Sequence, residues 1–295
     1  MSRPLRPDLV DSWFHVMNRG IDHGAVYFDD SDRIEMGQRF ADIYERFGVI
    51  THAYCLMDNH FHALVHCPHG HLSEAMQRLG SLYTRHVNDR LGRDGALFRG
   101  RFASRQILDD GYLLTACRYI HRNPLVLDGV RDLADYRWSS HRTYLGLRGT
   151  PSWMRTDEVL SHWNGDRAAF DRFVGADGPS DTVDVSIDRL RAMIAACAFV
   201  LDEVERDGSG ARLARLLALA WAVNNGADRT TVMEAFGIST PGALHSATHR
   251  ARARVAGNVA LGAVVERAAD LTAMAGRSRL GSDPWRDQTA ARAAS

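Results

Sequence analysis

Two apolar runs on either side of a two-residue turn constrain the fold of this chain more than any other feature. Residues 49–57 and 60–67 are rich in β-branched, aromatic and other apolar side chains, and Asp58-Asn59 separates them. A connection of this kind joins antiparallel strands. The sequence therefore predicts a β-hairpin whose second strand carries His60 and His62 on one face, because side chains alternate along a strand.

Five further segments carry the periodicity of a strand or a helix, and they surround the hairpin. In chain order they are a strand (13–18), a helix (30–47), a helix (72–91), a strand (97–108) and a helix (111–122). Ser31 is the predicted N-cap of the first helix. The resulting order of strand, helix, two strands, helix and strand is that of ferredoxin-like sheets. We therefore predict an α+β fold with a four-stranded antiparallel sheet, ferredoxin-like or RRM-like, covered by helices on one face.

The composition excludes several kinds of chemistry. All 36 basic residues are arginine, and 36 acidic residues balance them. Without lysine there is no Schiff-base or lysine general-base chemistry, and guanidinium groups and histidines must make every basic contact to phosphate. The four cysteines form no C-x-x-C pair, which excludes a disulfide framework and a zinc ribbon. The N-terminus lacks an apolar signal core and the apolar runs are too short to span a bilayer, so we expect a cytoplasmic protein.

Two polar side chains of the helix at 111–122 and the residues that follow it complete a candidate site. Tyr119 and Asn123 are four residues apart and therefore share a helix face. A tyrosine oxygen can attack phosphorus and form a covalent intermediate, and a nearby cation lowers the barrier. His60, His62 and the amide oxygen of Asn123 are suitable ligands for such a cation. A hydrolase that activates water is disfavoured, because no clear carboxylate base lies beside the histidines.

Five motifs resemble those of the single-tyrosine HUH transposases, and the branch that they resemble most is that of the REP-associated tyrosine transposases. The resemblance covers roughly residues 10–150, with the motifs in the order of the family. The motifs lie at residues 15–20, 59–62, 95–102, 119–124 and 138–140.

The resemblance implies the HUH nuclease fold and a role for each residue of the candidate site. Tyr119 corresponds to the nucleophile, and His60, His62 and Asn123 correspond to the metal ligands. The expected activity is that of a metal-dependent endonuclease and strand transferase in DNA transposition. It cleaves single-stranded DNA at hairpins of repetitive extragenic palindromes, leaving a 5′ phosphate on tyrosine and a free 3′-OH. The expected metal is Mg²⁺ or Mn²⁺, although two imidazoles also suit zinc.

Two questions stay open at this point. One is oligomeric state, because similar transposases act as homodimers whereas the repeat-associated branch can act as monomers. The other is catalysis itself, since a non-catalytic, sequence-specific DNA-binding regulator derived from a transposase is the alternative function.

Arginines and aromatic residues concentrate between residues 78 and 122, where nine arginines accompany four aspartates. This mixture is typical of a groove that tracks phosphates and stacks unpaired bases, although an ordinary solvated helix face is the alternative. Arg99 and Arg101 are expected on one face of the predicted strand. The candidate DNA contacts are Arg19, Arg78, Arg85, Arg99, Arg101, Arg105 and Arg122, with Arg250, Arg252 and Arg254 near the C-terminus.

The last third of the chain is predicted to be all-helical. Segments 230–236 and 240–255, joined by the turn 237–239, have the proportions of a helix-turn-helix, and the second helix is basic without an acidic residue. This pair resembles the C-terminal DNA-binding domain of the replication initiator DnaA, while a plain helical bundle is the alternative. We therefore divide the chain into a catalytic domain (1–150), a connecting helix and linker (151–184), a helical domain (185–276) and a disordered tail (277–295).

Overall fold

The computed structural model describes residues 9–127, 129–175, 186–204, 210–225, 227–256 and 258–277. The chain forms two compact units. The first unit comprises residues 1–121 and 136–174, and the second unit comprises residues 122–135 and 175–295. Most of the segment predicted as a connection, residues 151–174, therefore belongs to the first unit.

Strands and helices follow the predicted order up to residue 122, and three further α-helices lie between residues 122 and 175. They are β1 (Ser12–Arg19), α1 (Asp30–Phe47), β2 (Ile50–Met57), β3 (His60–Cys67), α2 (Leu72–Leu91), β4 (Ala103–Ile107), α3 (Asp110–Arg122), α4 (His141–Tyr144), α5 (Asp157–Leu160) and α6 (Arg167–Gly175). The strands form one antiparallel sheet in the order β2-β3-β1-β4, which confirms the predicted four-stranded architecture.

The two faces of the sheet differ in chemistry, because alternate residues point to opposite sides. On one face Phe61 of β3 packs against Phe40 of α1 and against Phe98, with ring centroids 6.2 and 6.1 Å apart. The opposite face carries His62, and Tyr119 of α3 packs there. The prediction of helices on one face only is therefore wrong, because α3 covers the other face.

Three local predictions also differ from the structure. β4 begins only at Ala103, whereas the strand was expected from residue 97. The N-cap of α1 is Asp29, whose carboxylate accepts hydrogen bonds from the backbone amides of Ser31 and Asp32. The single helix expected over 153–174 is instead divided between α5, a short 3-10 helix and α6.

The second unit contains five longer helices within its described residues. They are α7 (Ile187–Val204), α8 (Gly210–Asn224), α9 (Arg229–Phe236), α10 (Pro241–Val255) and α11 (Val259–Arg277). Helix α8 packs against α7 and α10, and α11 packs against α7. The predicted all-helical region is thus confirmed, while the linker core at 176–181 and the tail beyond residue 277 lie outside the described residues. Across the described part of the chain, no helix has the length and apolar character needed to cross a membrane.

Candidate active site

The strand register gathers polar side chains on the face of the sheet that α3 covers. His60 pairs with Arg19 of β1, and His15 of β1 pairs with Arg105 of β4. Paired residues share a face, and His62 lies two residues beyond His60 on the same side. All five side chains are buried. A buried sheet face with three imidazoles and two guanidinium groups is expensive to desolvate, which marks it as a place for polar chemistry.

Tyr119 of α3 contacts this polar face directly. Its ring centroid lies 5.2 Å from that of His62 and 5.6 Å from that of His15, and its plane is nearly perpendicular to the His62 ring. The rings of His60 and His62 are 5.1 Å apart. The structure therefore brings together the tyrosine and both histidines that the sequence singled out, and Tyr119 is fully buried there.

Hydrogen bonds orient both histidines of β3. Nδ1 of His60 lies 2.7 Å from Oδ1 of Asn59, and Nδ1 of His62 lies 2.9 Å from Nε2 of His15. An amide oxygen only accepts, so Nδ1 of His60 carries the proton and Nε2 is the basic nitrogen of the neutral ring. Metal-binding histidines are held by their second nitrogen in the same way, so the pair fits a cation bound through Nε2 atoms.

The remaining ligands of such a cation would be neutral or come from a substrate. Within the described ranges, no three His, Cys, Asp or Glu side chains are grouped as a metal site. A cation here would therefore depend on the two imidazoles together with amide or phosphate oxygens. Oxygen ligands of this kind are those that Mg²⁺ and Mn²⁺ prefer.

A chain of four hydrogen bonds fastens α3 to strand β2. The Cys117 thiol lies 3.7 Å from Nδ1 of His121, whose Nε2 lies 2.7 Å from Oγ of Ser140. The Ser140 hydroxyl donates to the carbonyl oxygen of Tyr54 and accepts from the amide of the same residue. When His121 donates through Nε2, the Ser140 hydroxyl accepts two hydrogen bonds and donates one. Its single proton and both lone pairs are then used.

Burial keeps this hydrogen-bond chain neutral. It raises the pKa of the Cys117 thiol to about 12 and lowers the pKa of His121 well below its ordinary value. The protonated thiol donates to His121, so each group in the chain has a defined role. Because Tyr119 lies between Cys117 and His121 on α3, these bonds also hold the turn of helix that carries it.

Asn123 belongs to the second unit, where α11 engages it. Its Oδ1 accepts a hydrogen bond of 2.6 Å from Nη2 of Arg267, and both side chains are completely buried. The neighbouring Arg122 forms an ion pair with Glu266. One lone pair of the Asn123 oxygen is therefore used by a guanidinium group.

A family match covers the polar face and the helix that packs on it. Residues 9–123 match the model of the IS200-like transposases. This segment is therefore similar to that transposase family. Among solved structures, one described as a REP-associated tyrosine transposase bound to a REP hairpin aligns at 15% identity, covering 53% of this chain and 93% of the other, with a TM-score of 0.43. Curated proteins give no match.

The seven arginines between residues 9 and 123 that were predicted to contact DNA fall into three groups. Arg85, Arg99 and Arg101 are exposed. Arg78 makes two hydrogen bonds to the carboxylate of Asp42, at 2.5 and 3.0 Å. The side chains of the remaining predicted contacts are buried, and these are Arg19, Arg105 and Arg122.

The segment from residue 97 to 102 is a loop, so the expectation of Arg99 and Arg101 on one strand face is wrong. Phe98 makes an isolated bridge to Gly20, and the amide of Arg99 donates to the carbonyl oxygen of Arg19. Beyond Met17, which pairs with Ala103, β4 has no further register with β1. The loop therefore presents the two arginines to solvent.

A groove of about 990 Å³ separates this loop from α2 in the transposase segment. Arg85 of α2 and Arg101 of the loop both line the groove, as does Arg93 between them in sequence. Glu74, Asp89 and Asp94 also line the groove. Two of the predicted DNA contacts thus meet in one concave surface, whose charge is mixed.

The sequence did not reveal the roles of His15 and Ser140. Both lie within motifs that resemble the transposase family, but no spacing connects either of them with its partner. His15 reaches His62 from a separate strand, 47 residues away, and Ser140 reaches His121 from a segment beyond α3. Only the strand register and the return of the chain to the edge of β2 place these pairs together.

Proposed function

We propose that the chain is a metal-dependent endonuclease and strand transferase for single-stranded hairpin DNA that acts through a covalent phosphotyrosine at Tyr119. The observation that carries this proposal is the packing of the Tyr119 ring against His62 and His15, on a buried polar face within a transposase segment. The five sequence motifs support hairpins of repetitive extragenic palindromes as the substrate.

The proposed reaction is a reversible exchange of phosphodiester bonds. The Tyr119 phenol loses its proton, and its oxygen forms a bond to phosphorus. The bond between phosphorus and the 3′ oxygen breaks, and that oxygen takes up a proton, so the products are a 5′-phosphotyrosine and a free 3′-OH. Attack of another 3′-OH on the phosphotyrosine reverses these steps and completes strand transfer.

The proposed cofactor is Mg²⁺ or Mn²⁺, held by the Nε2 atoms of His60 and His62 with Asn123 as a third ligand. When bound, the cation would withdraw charge from the phosphate under attack. The bonds to Asn59 and His15 would hold the two imidazoles in position throughout.

The exposed arginines would bind the sugar–phosphate backbone that leads to the site. Arg85 and Arg101 line the groove beside α2, and Arg99 is exposed on the same loop as Arg101. Phosphate contacts of this kind position nucleic acid and make binding dependent on salt.

One observation favours the alternative of a non-catalytic DNA-binding regulator. Tyr119 is fully buried, so a scissile phosphate can reach its oxygen only when α3 or the covering segments move. A regulator would bind hairpin DNA and never make that movement.

The test is an adduct assay with hairpin oligonucleotides carrying single-stranded flanks, labelled at either end. Denaturing gels should show the 3′-labelled fragment attached to protein and the 5′-labelled fragment released, in Mn²⁺ or Mg²⁺ and not in EDTA. Tyr119→Phe should abolish the adduct, whereas Tyr112→Phe on the same helix should keep it. Hairpin binding without any adduct would favour the regulator instead.

A further inference from the structure

We propose that α10 of the second unit binds double-stranded DNA by lying in the major groove. This helix belongs to the second unit, and the proposal does not depend on the chemistry proposed at Tyr119. Three features of α10 carry it: a stripe that packs inward, a stripe of small polar residues on the opposite side, and cations along both edges.

The inward stripe fixes which face of α10 is presented to solvent. Leu244 and Ala251 are buried, and Thr248 and Val255 on the same side are half-buried. These positions recur every three or four residues, as one side of a helix requires. The hydroxyl of Thr240 caps the helix by accepting from the amide of Ala243, at 3.2 Å. The helix is therefore anchored on α8, and its outer face has a defined orientation.

The outer face is narrow and lacks large side chains. Its central stripe is exposed and consists of Gly242, Ser246, His249 and Ala253. The spacing of four, three and four residues places all of them on one line along the helix. Small residues along such a line allow the backbone of a helix to approach another surface closely, and Ser246 and His249 offer groups that form hydrogen bonds with base edges.

Cations occupy both edges of this stripe. Arg250 and Arg254 are one turn apart on one edge, and Arg252 lies on the other edge with His245. All four side chains are exposed, and α10 contains no acidic residue. Among the residues that the structure describes, no acidic group pairs with any of these three arginines.

This pattern fits duplex DNA better than other polyanions. The major groove of B-DNA is about 12 Å wide and admits an α-helix, with a phosphate backbone on each side. Arginines on both edges of α10 match those two backbones. Surfaces for single strands rely on stacking aromatic side chains, and α10 has no Phe, Tyr or Trp. Helices that lie on membranes need large apolar side chains on their buried face, which the exposed stripe lacks.

The connection before α10 supports the same geometry. Helix α9 ends at Phe236, and Gly237 takes the left-handed conformation with φ of 62° that turns the chain. Only three residues then separate this turn from the first residue of α10. Short connections of this kind leave the N-terminal part of the second helix, here Gly242 to Ser246, free to face the groove.

The test measures equilibrium binding of the full chain to a blunt 20-base-pair duplex by fluorescence anisotropy. EDTA in the buffer keeps the measurement independent of any metal-dependent reaction. We expect Arg250→Ala/Arg254→Ala to weaken binding at least tenfold and to reduce the slope of log K against log salt by about 2, since each phosphate contact contributes about 0.9. Arg191→Ala/Arg212→Ala removes two exposed arginines from α7 and α8 as a matched control and should change binding less than twofold.

A second variant distinguishes insertion of α10 into the major groove from long-range electrostatic attraction to the DNA. Ser246→Phe adds bulk to the centre of the exposed stripe without changing charge, and its helix content is checked by circular dichroism. We expect it to weaken duplex binding at least tenfold. The proposal is overturned if Arg250→Ala/Arg254→Ala and Arg191→Ala/Arg212→Ala bind the duplex with equal affinity. It is also overturned if Ser246→Phe binds as tightly as the wild type. Equal affinity for duplex RNA would also overturn it, because the A-form major groove does not admit a helix.

Discussion

Nε2 of His15 lies 2.9 Å from Nδ1 of His62, so the imidazoles of two neighbouring strands are joined beside the ring of Tyr119. In the metal site that we propose, this bond would orient His62 to bind the cation through Nε2. Substitutions at positions that orient a metal ligand typically cost 10–100-fold in metal affinity. If the proposed metal site is correct, the contact gives His15 a positioning role that its place in the sequence does not reveal.

We predict that His15→Ala weakens Mn²⁺ binding roughly 10–100-fold while the protein stays folded. His15→Gln keeps a side chain that can accept a hydrogen bond and should recover part of the affinity. Titration calorimetry measures the constants, and the exposed His71, replaced by alanine, is the control. Equal affinities for the wild type and His15→Ala would contradict the positioning role.

Ser140→Ala should loosen α3. The substitution removes a hydroxyl that joins His121 to the backbone of Tyr54, so two buried partners lose a hydrogen bond. We expect the free energy of unfolding to fall by about 2–3 kcal/mol. Ser139→Ala, which removes an acceptor for the amide of His141, is the matched control and should cost less. Equal losses in urea-unfolding curves would argue against the role of this hydrogen-bond chain.

Acid should destabilise the first unit through His52. Burial lowers its pKa from 6.5 to about 3, with the nearby His66 as a smaller cause. Above pH 6.5 the ring is neutral in both states. Below that pH only the unfolded chain takes up the proton, so stability falls as pH drops from about 6.5 towards about 3, by up to about 1.4 kcal/mol per pH unit.

Unfolding in urea at pH 7 and pH 5 tests this direction. Between pH 7 and pH 5, the free energy of unfolding should fall by about 2 kcal/mol less in His52→Gln than in the wild type. The control His71→Gln replaces an exposed histidine and should follow the wild type. A pH dependence that is unchanged in His52→Gln would show that other groups cause the loss.

The second unit should depend on the buried pair of Arg267 and Asn123. Arg267→Met keeps much of the volume but removes the charged donor from the Asn123 oxygen. Hydrogen bonds to charged groups contribute about 1.5–3 kcal/mol, so we expect a loss of about that size. Arg191→Ala, which removes an exposed arginine of α7, is the control. If calorimetry shows that Arg267→Met unfolds at the same midpoint temperature as the wild type, the predicted contribution of this pair to stability is wrong.

The hairpin and its histidine pair were predictable because they depend on local rules. Alternation over residues 60–67 and the turn at 58–59 determine the strand, and the strand determines which face His60 and His62 share. The order of strands and helices along the chain then predicted the four-stranded antiparallel sheet. The N-cap was harder, because Asp29 and Ser31 are both good capping residues and the choice depends on backbone geometry.

The features that the sequence did not predict depend on contacts between residues that are distant in sequence. The length of β4 is set by where β1 can pair with it, so residues 97–102 became a loop despite their apolar content. The bond between Arg267 and Asn123 joins residues that are 144 positions apart. No periodicity or spacing reports a contact of that kind.

The most direct test of the account is identification of the residue that becomes attached to DNA. Trypsin cuts after Arg118 and Arg122, so a short tetrapeptide, Tyr119-Ile120-His121-Arg122, contains the proposed nucleophile. After reaction with hairpin DNA in Mn²⁺ and digestion with nuclease and trypsin, mass spectrometry should find this peptide carrying a 5′-linked nucleotide. A nucleotide attached to any other peptide, or cleaved DNA with no modified peptide, would contradict the central role of Tyr119.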